Sequence, residues 1–347
     1  MKAFRPLPNT SPYTNLMQII ELANEHLRVN LIEYGARVVA IHLRGKSVNQ
    51  EHNTEESSNL VQGYQKLKDY LTDEASMGAT VGPITNRISS SRITLDNKTY
   101  RLPNNKGENC LHSGGVGFDR RMWSLSQRGQ DFATFSLPFD LSDIGLPGQL
   151  EACAKYFLSG STLSVEYTIS TSSLTYLNVT NHVYLNLSGE NRSIDDHQFL
   201  LFADQVVLTD KDSIPTGKTI GVNNPLKYCL NSTRSFIDWL SENADSIYAG
   251  GIDHHFVAQA EGAKQWLKLA KVRSESSGIA VDIFSNAPGF QLYTANSLTG
   301  EFEPQSAFCI EAQSIPDAIN HPEFKVELTP AGSSYSRSIA WNFSYTT

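Results

Sequence analysis

An alternation of apolar and polar residues with a period of two limits this chain more than any other feature. Leu163, Val165, Tyr167 and Ile169 alternate with Ser164, Glu166, Thr168 and Ser170. In an extended chain, successive side chains point to opposite faces, so this pattern buries one face and wets the other. The same pattern returns at Ile279, Val281 and Ile283, and at Tyr335, Ile339, Trp341 and Phe343 near the C-terminus. Turn signals separate the runs. Ile93–Leu95, Asp96-Asn97 and Lys98–Tyr100 predict a hairpin with a two-residue loop, because Asp and Asn tolerate positive φ. Ser159-Gly160-Ser161 predicts another. Helical periodicity is scarce: Thr233–Asn243 and Tyr64–Leu71 are two short candidates, and Val48–Asn59 is expected to be a loop. Many short strands without a shift in composition point to an all-β fold of antiparallel sheets packed face to face, one domain over residues 1–347.

Charge narrows the partners. Twenty-eight basic against thirty-six acidic residues leave a formal charge of −8, with no long block of one sign. Nucleic acid or an anionic membrane as the main partner would call for a basic face. Residues 1–14 lack the apolar stretch of a signal peptide and no segment reaches the length of a membrane span, so a cytoplasmic location is expected. Cys110, Cys153, Cys229 and Cys309 lie far apart without zinc or redox spacing, and are expected to be free thiols.

Several polar residues interrupt this apolar texture. Glu311 follows the run Ala307–Ile310, and Pro316-Asp317 marks a turn beyond it, which places the carboxylate where strand meets loop. Either it is a solvated strand-end residue, or partial burial raises its pKa toward proton transfer. His182 lies between Asn181 and Asn186 in a run that also holds Val183, Leu185 and Leu187; it is a satisfied core histidine or a general acid, since imidazole titrates near pH roughly 6.5. Asn86 and Arg87 supply several fixed donors for ligand oxygens. His112 stands beside Gly114, Gly115 and Gly117, where backbone can approach a ligand closely, although no Lys-Ser or Lys-Thr follows to make a phosphate loop. Asp253, His254 and His255 open a strand; adjacent side chains on a strand diverge, which argues against the two rings sharing a metal ion. Gln291 and Tyr293 sit on one face of a further strand.

Taken together, these segments resemble the aldose 1-epimerases. The resemblance is carried by Asn86-Arg87-Ile88, Leu111-His112 with Gly117-Phe118-Asp119, Thr180-Asn181-His182 through Asn186-Leu187, Gly251-Ile252-Asp253-His254, Pro288-Gly289 to Tyr293-Thr294, and Glu311-Ala312-Gln313 to Pro316-Asp317-Ala318. It runs in order from about Gly35 to the C-terminus. It implies a large antiparallel β-supersandwich, no cofactor and no metal, and a small-molecule sugar as the partner of a monomer or homodimer. Glu311 matches the family's general base and His182 its general acid. Asn86, Arg87, His112, Asp253 and Gln291 match the residues that hold sugar hydroxyls. Pro83, Ser113, His255 and Ala312 depart from the family pattern and bear on which sugar is preferred. The expected activity is interconversion of α and β anomers of a free hexose. The alternatives are a mutarotase for phosphorylated hexoses and a non-catalytic sugar binder; a glycosidase would need a second carboxylate flanking the bond, for which Asp253 is the one candidate.

Overall fold

A computed structural model describes residues 17–45, 56–189, 192–229, 251–258 and 266–345. A nine-stranded and a five-stranded antiparallel sheet dominate it, with a three-stranded sheet from Ile20–Ala23, Leu27–Ile32 and Arg37–Leu43. The centre of the large sheet is formed by Ile279–Ser285, Ser334–Tyr345, Thr162–Thr171 and Gln149–Ser159 in that spatial order. The smaller sheet runs Pro215–Gly221, Gln205–Thr209, Asp253–Val257, Gly289–Tyr293 and Cys309–Gln313. This is the all-β fold of antiparallel sheets that the alternation predicts, and the supersandwich that the resemblance implies.

The apolar faces found in the sequence form the core. Leu163, Val165, Tyr167 and Ile169 are buried, as are Ile339, Trp341 and Phe343. They join one apolar cluster that also takes Phe256, Phe290, Leu292, Ile310 and Ala312 from the five-stranded sheet. Phe256 and Phe290 stack with ring centroids 5.4 Å apart. Each such aromatic or aliphatic side chain contributes about 1.5–3 kcal/mol by leaving water. One face of the five-stranded sheet is thereby committed to the core. The other face carries Asp253, His255, Gln291, Tyr293, Cys309 and Glu311, because side chains two apart share a face.

Both predicted hairpins form. Arg92–Leu95 pairs with Lys98–Arg101 across Asp96 and Asn97, at φ 48° and 61°. Ser159 pairs with Thr162 across Gly160, also left-handed at φ 55°. The candidate at Tyr64–Leu71, a short helix or a loop turn from the sequence, overlaps a 3-10 turn over Leu67–Thr72, too short in its apolar repeat to sustain an α-helix. Thr233–Asn243 lies outside the described residues. Of Val48–Asn59, only the last four positions are described; Glu56 makes an isolated bridge to Arg44 and is ion-paired to Arg28. Cys110, Cys153 and Cys309 are free thiols, and the side chain of Cys229 lies outside the described residues.

Candidate active site

The site is assembled on the polar face of the five-stranded sheet. Register sets His255 opposite Gln291 and Gln291 opposite Glu311, so the three form a row across neighbouring strands. Asp253, Tyr293 and Cys309 form the next row. Glu311 is in the middle of Cys309–Gln313, not at a strand end as the sequence suggested, because pairing with Gly289–Tyr293 continues two residues past it. It is 2% exposed. Burial, aided by the nearby negative charge of Asp253, holds its carboxyl well above the usual range, with Arg87 opposing.

His182 reaches this face from the segment after the short strand Thr180–Asn181. Its backbone is pinned on both sides: its N–H donates to Ala79 O at 2.8 Å and its carbonyl accepts from Gly78 N–H at 3.0 Å. The ring then lies with Nε2 3.5 Å from Glu311 Oε1. Burial lowers its pKa to about 4, so the imidazole is neutral near pH 7. Tyr184 stacks on it at 4.9 Å and Cys309 Sγ lies 3.4 Å from Nδ1. Neither residue stood out as functional in the sequence. Cys309 is two positions from Glu311 on one strand and so shares its face, and Tyr184 is two positions from His182.

A buried ion pair fixes the segment that holds His182. Arg37, wholly buried, donates to Asp73 Oδ2 at 2.5 Å, to Met77 O at 2.8 Å and to Asp119 O at 2.9 Å. Asp73 also accepts from Met77 N–H at 2.8 Å. The pair thus ties down residues 73–79, to which the His182 backbone is bonded.

The remaining predicted residues converge on the same face. Gln291 Nε2 donates to Asp253 Oδ1 at 2.6 Å, and Arg87 Nη2 stands 3.5 Å from Asp253 Oδ2. Asn86 has φ 62° and its Oδ1 accepts from Arg87 N–H at 2.8 Å, a local turn that Asn tolerates. His112 Nδ1 accepts from Asn86 N–H at 3.1 Å, which puts the proton of the neutral ring on Nε2 as a donor. Burial first, then the neighbouring His182, keeps this ring well below its ordinary pKa. The two imidazoles meet edge to face at 5.5 Å. Glu311 Oε2 and Gln291 Oε1 are buried without a hydrogen-bond partner, so polar capacity is left over at the centre of the site. All seven predicted residues are therefore near one another. His254 and His255 fall on opposite faces of their strand, and among the described residues no group of three or more metal-ligating side chains occurs.

A carboxyl and an imidazole in contact, ringed by amides, a guanidinium and a second imidazole, give the sandwich a polar face capable of acid–base chemistry. The chain belongs to the aldose 1-epimerase family, whose sequence profile matches residues 18–341. It is 32% identical to the galactose mutarotase of Bos taurus over 335 residues, 93% of each chain. It is 30% identical to the aldose 1-epimerase of Haemophilus influenzae over 337 residues, covering 92% of this chain and 91% of the relative. An aldose epimerase homologue from C. elegans superposes with a TM-score of 0.84 at 25% identity, over 95% of this chain and all of that one. Membership makes the protein an isomerase. No helix among the described residues is long and apolar enough to cross a membrane.

Proposed function

We propose that the chain interconverts the α and β anomers of a free hexose, with Glu311 and His182 moving the two protons. The observation that carries this is the 3.5 Å contact between His182 Nε2 and Glu311 Oε1 on a buried polar face. Ring opening acts on two oxygens bonded to one carbon, so the two groups serving them must stand close together. Glu311 carboxylate takes the proton of the anomeric hydroxyl while protonated His182 gives its Nε2 proton to the ring oxygen. The bond from C1 to the ring oxygen breaks and the C1 carbonyl forms. Rotation about C1–C2 exposes the other carbonyl face, and the two transfers run backwards to close the ring. Each direction begins with the protonation state that the other leaves behind, as a reversible reaction requires.

Burial disfavours charge on both partners, raising the carboxyl and lowering the imidazole. Before sugar binds, the proton therefore rests on Glu311, the partition reached after ring opening. Substrate hydroxyls add hydrogen bonds that the charged form can use, and Asn86, Arg87, His112, Asp253 and Gln291 hold the sugar while the proton moves. The galactose mutarotases among the relatives support galactose as the first substrate to try, with glucose tested beside it. A phosphorylated sugar finds less support: Arg87 is the basic residue of the set, and it already faces Asp253. Action as one domain, as a monomer or homodimer in the cytoplasm, is part of the same proposal.

Polarimetry on fresh α-D-galactose, α-D-glucose and their 6-phosphates tests it. Faster change of rotation with the free sugars is expected; no acceleration with any free aldose would leave a binding protein instead.

A further inference from the structure

A second cleft, of about 560 Å3, is lined by residues from both large sheets. Tyr335 and Arg337 line it from the nine-stranded sheet, and Ser314 lines it just beyond the strand that carries Glu311. The volume falls within the range of small-molecule sites.

Arg337 is the residue that needs explaining. It is 5% exposed, yet its hydrogen bonds go only to neutral oxygens: Nε to Tyr335 Oη at 3.0 Å and Nη2 to Ser314 Oγ at 3.3 Å. Its guanidinium lies 5.4 Å from the centre of the Tyr335 ring. Several other guanidinium groups among the described residues are matched by carboxylates. Arg37 has Asp73, Arg28 and Arg44 share Glu56, and Arg87 has Asp253. Among the described residues Arg337 has no such ion pair. A charge taken out of water without a counter-charge is costly, so a structural role alone leaves Arg337 poorly accounted for. The acidic residues at the cleft do not supply the missing charge. Glu323 and Glu327 are exposed, and Glu323 is within 4.0 Å of His321 instead. Lys325 lines the same cleft and is exposed like the two glutamates, so Arg337 is its buried charge.

We propose that this cleft binds a small organic anion, with its carboxylate or phosphate on the Arg337 guanidinium. The free Nη1 edge and Ser314 Oγ offer the oxyanion a charged donor beside a hydroxyl, and Tyr335, Phe324 and Pro288 give the organic body an apolar wall. The site is separate from the polar face of Glu311 and goes beyond anomer interconversion.

Isothermal titration calorimetry of the full chain with inorganic phosphate and, separately, acetate tests this and distinguishes the two anions. Saturable binding of at least one is expected. Arg337→Met should weaken it at least roughly ten-fold, the scale of a charged hydrogen bond, and Ser314→Ala should weaken it by a smaller factor. Saturating D-galactose should not compete. Because Arg337→Met removes a buried residue, a second readout uses the unaltered protein: the Arg337 Nε–H resonance should shift along a saturable curve as phosphate is added. Linear, non-saturating titrations with both anions, or unchanged affinity in a folded Arg337→Met, would overturn the proposal.

Discussion

Glu311→Gln separates catalysis from stability, because the same burial acts on both in opposite directions. The amide keeps the size of the side chain and its place against His182 but cannot accept the anomeric proton. Loss of a general base costs roughly 10²–10⁴ in rate, or about 3–5 kcal/mol of transition-state stabilisation. Folding should respond the other way. Glu311 titrates well above 4.5 in the folded protein because it is desolvated, with Asp253 adding to the effect. Above pH 4.5 the unfolded chain has lost this proton while the folded chain keeps it. Folded protein thus binds more protons, and stability from this group falls with rising pH by up to about 1.4 kcal/mol per pH unit. A glutamine in its place has no such proton to hold. The variant should therefore be nearly inactive in the polarimeter and more stable than the parent in urea at pH 7, by a margin that shrinks toward pH 4.5. Equal activity would refute the assignment of the base. A variant less stable at pH 7 and no better at higher pH would refute the desolvation argument, leaving the catalytic one standing.

His182→Asn should also lower the mutarotation rate by roughly 10²-fold or more, read in the same assay, since it removes the proton donor to the ring oxygen. The parent should lose stability as pH falls from 6.5 toward 4: unfolded His182 gains a proton there that the folded ring, with pKa about 4, refuses. This one group contributes up to about 3 kcal/mol, and urea midpoints across that window should be flatter in His182→Asn. Asp73→Asn leaves Arg37 buried without its counter-charge and should destabilise by about 3–5 kcal/mol, measured by chemical denaturation, with loss of activity through the freed 73–79 segment. Asp253→Asn keeps a partner for Gln291 but weakens the hold on Arg87. It should raise KM for galactose more than it lowers kcat.

The period-two code made the sheets legible because it is local: each residue of Leu163–Ile169 states its own face. Pairing across the sheets is not local. Nothing near Glu311 in the sequence says that Gln291 lies opposite it and His255 beyond, and that register turned an apparent strand-end carboxylate into a buried one. Individual residues left His182 between a core histidine and an acid, and the motif order is what favours the acid we propose. The parts that escaped are those created by tertiary contact. Cys309 is expected only to be a free thiol, yet it is buried and folding brings its sulfur to the His182 ring. Arg37 and Asp73 are 36 residues apart and share no motif, but together they fix the backbone that holds the imidazole. Tyr184 completes the same logic, since its ring covers one face of the His182 imidazole. Sequence patterning can thus nominate the groups that move protons. The desolvation that sets their pKa values arises only when separate strands and loops close around them.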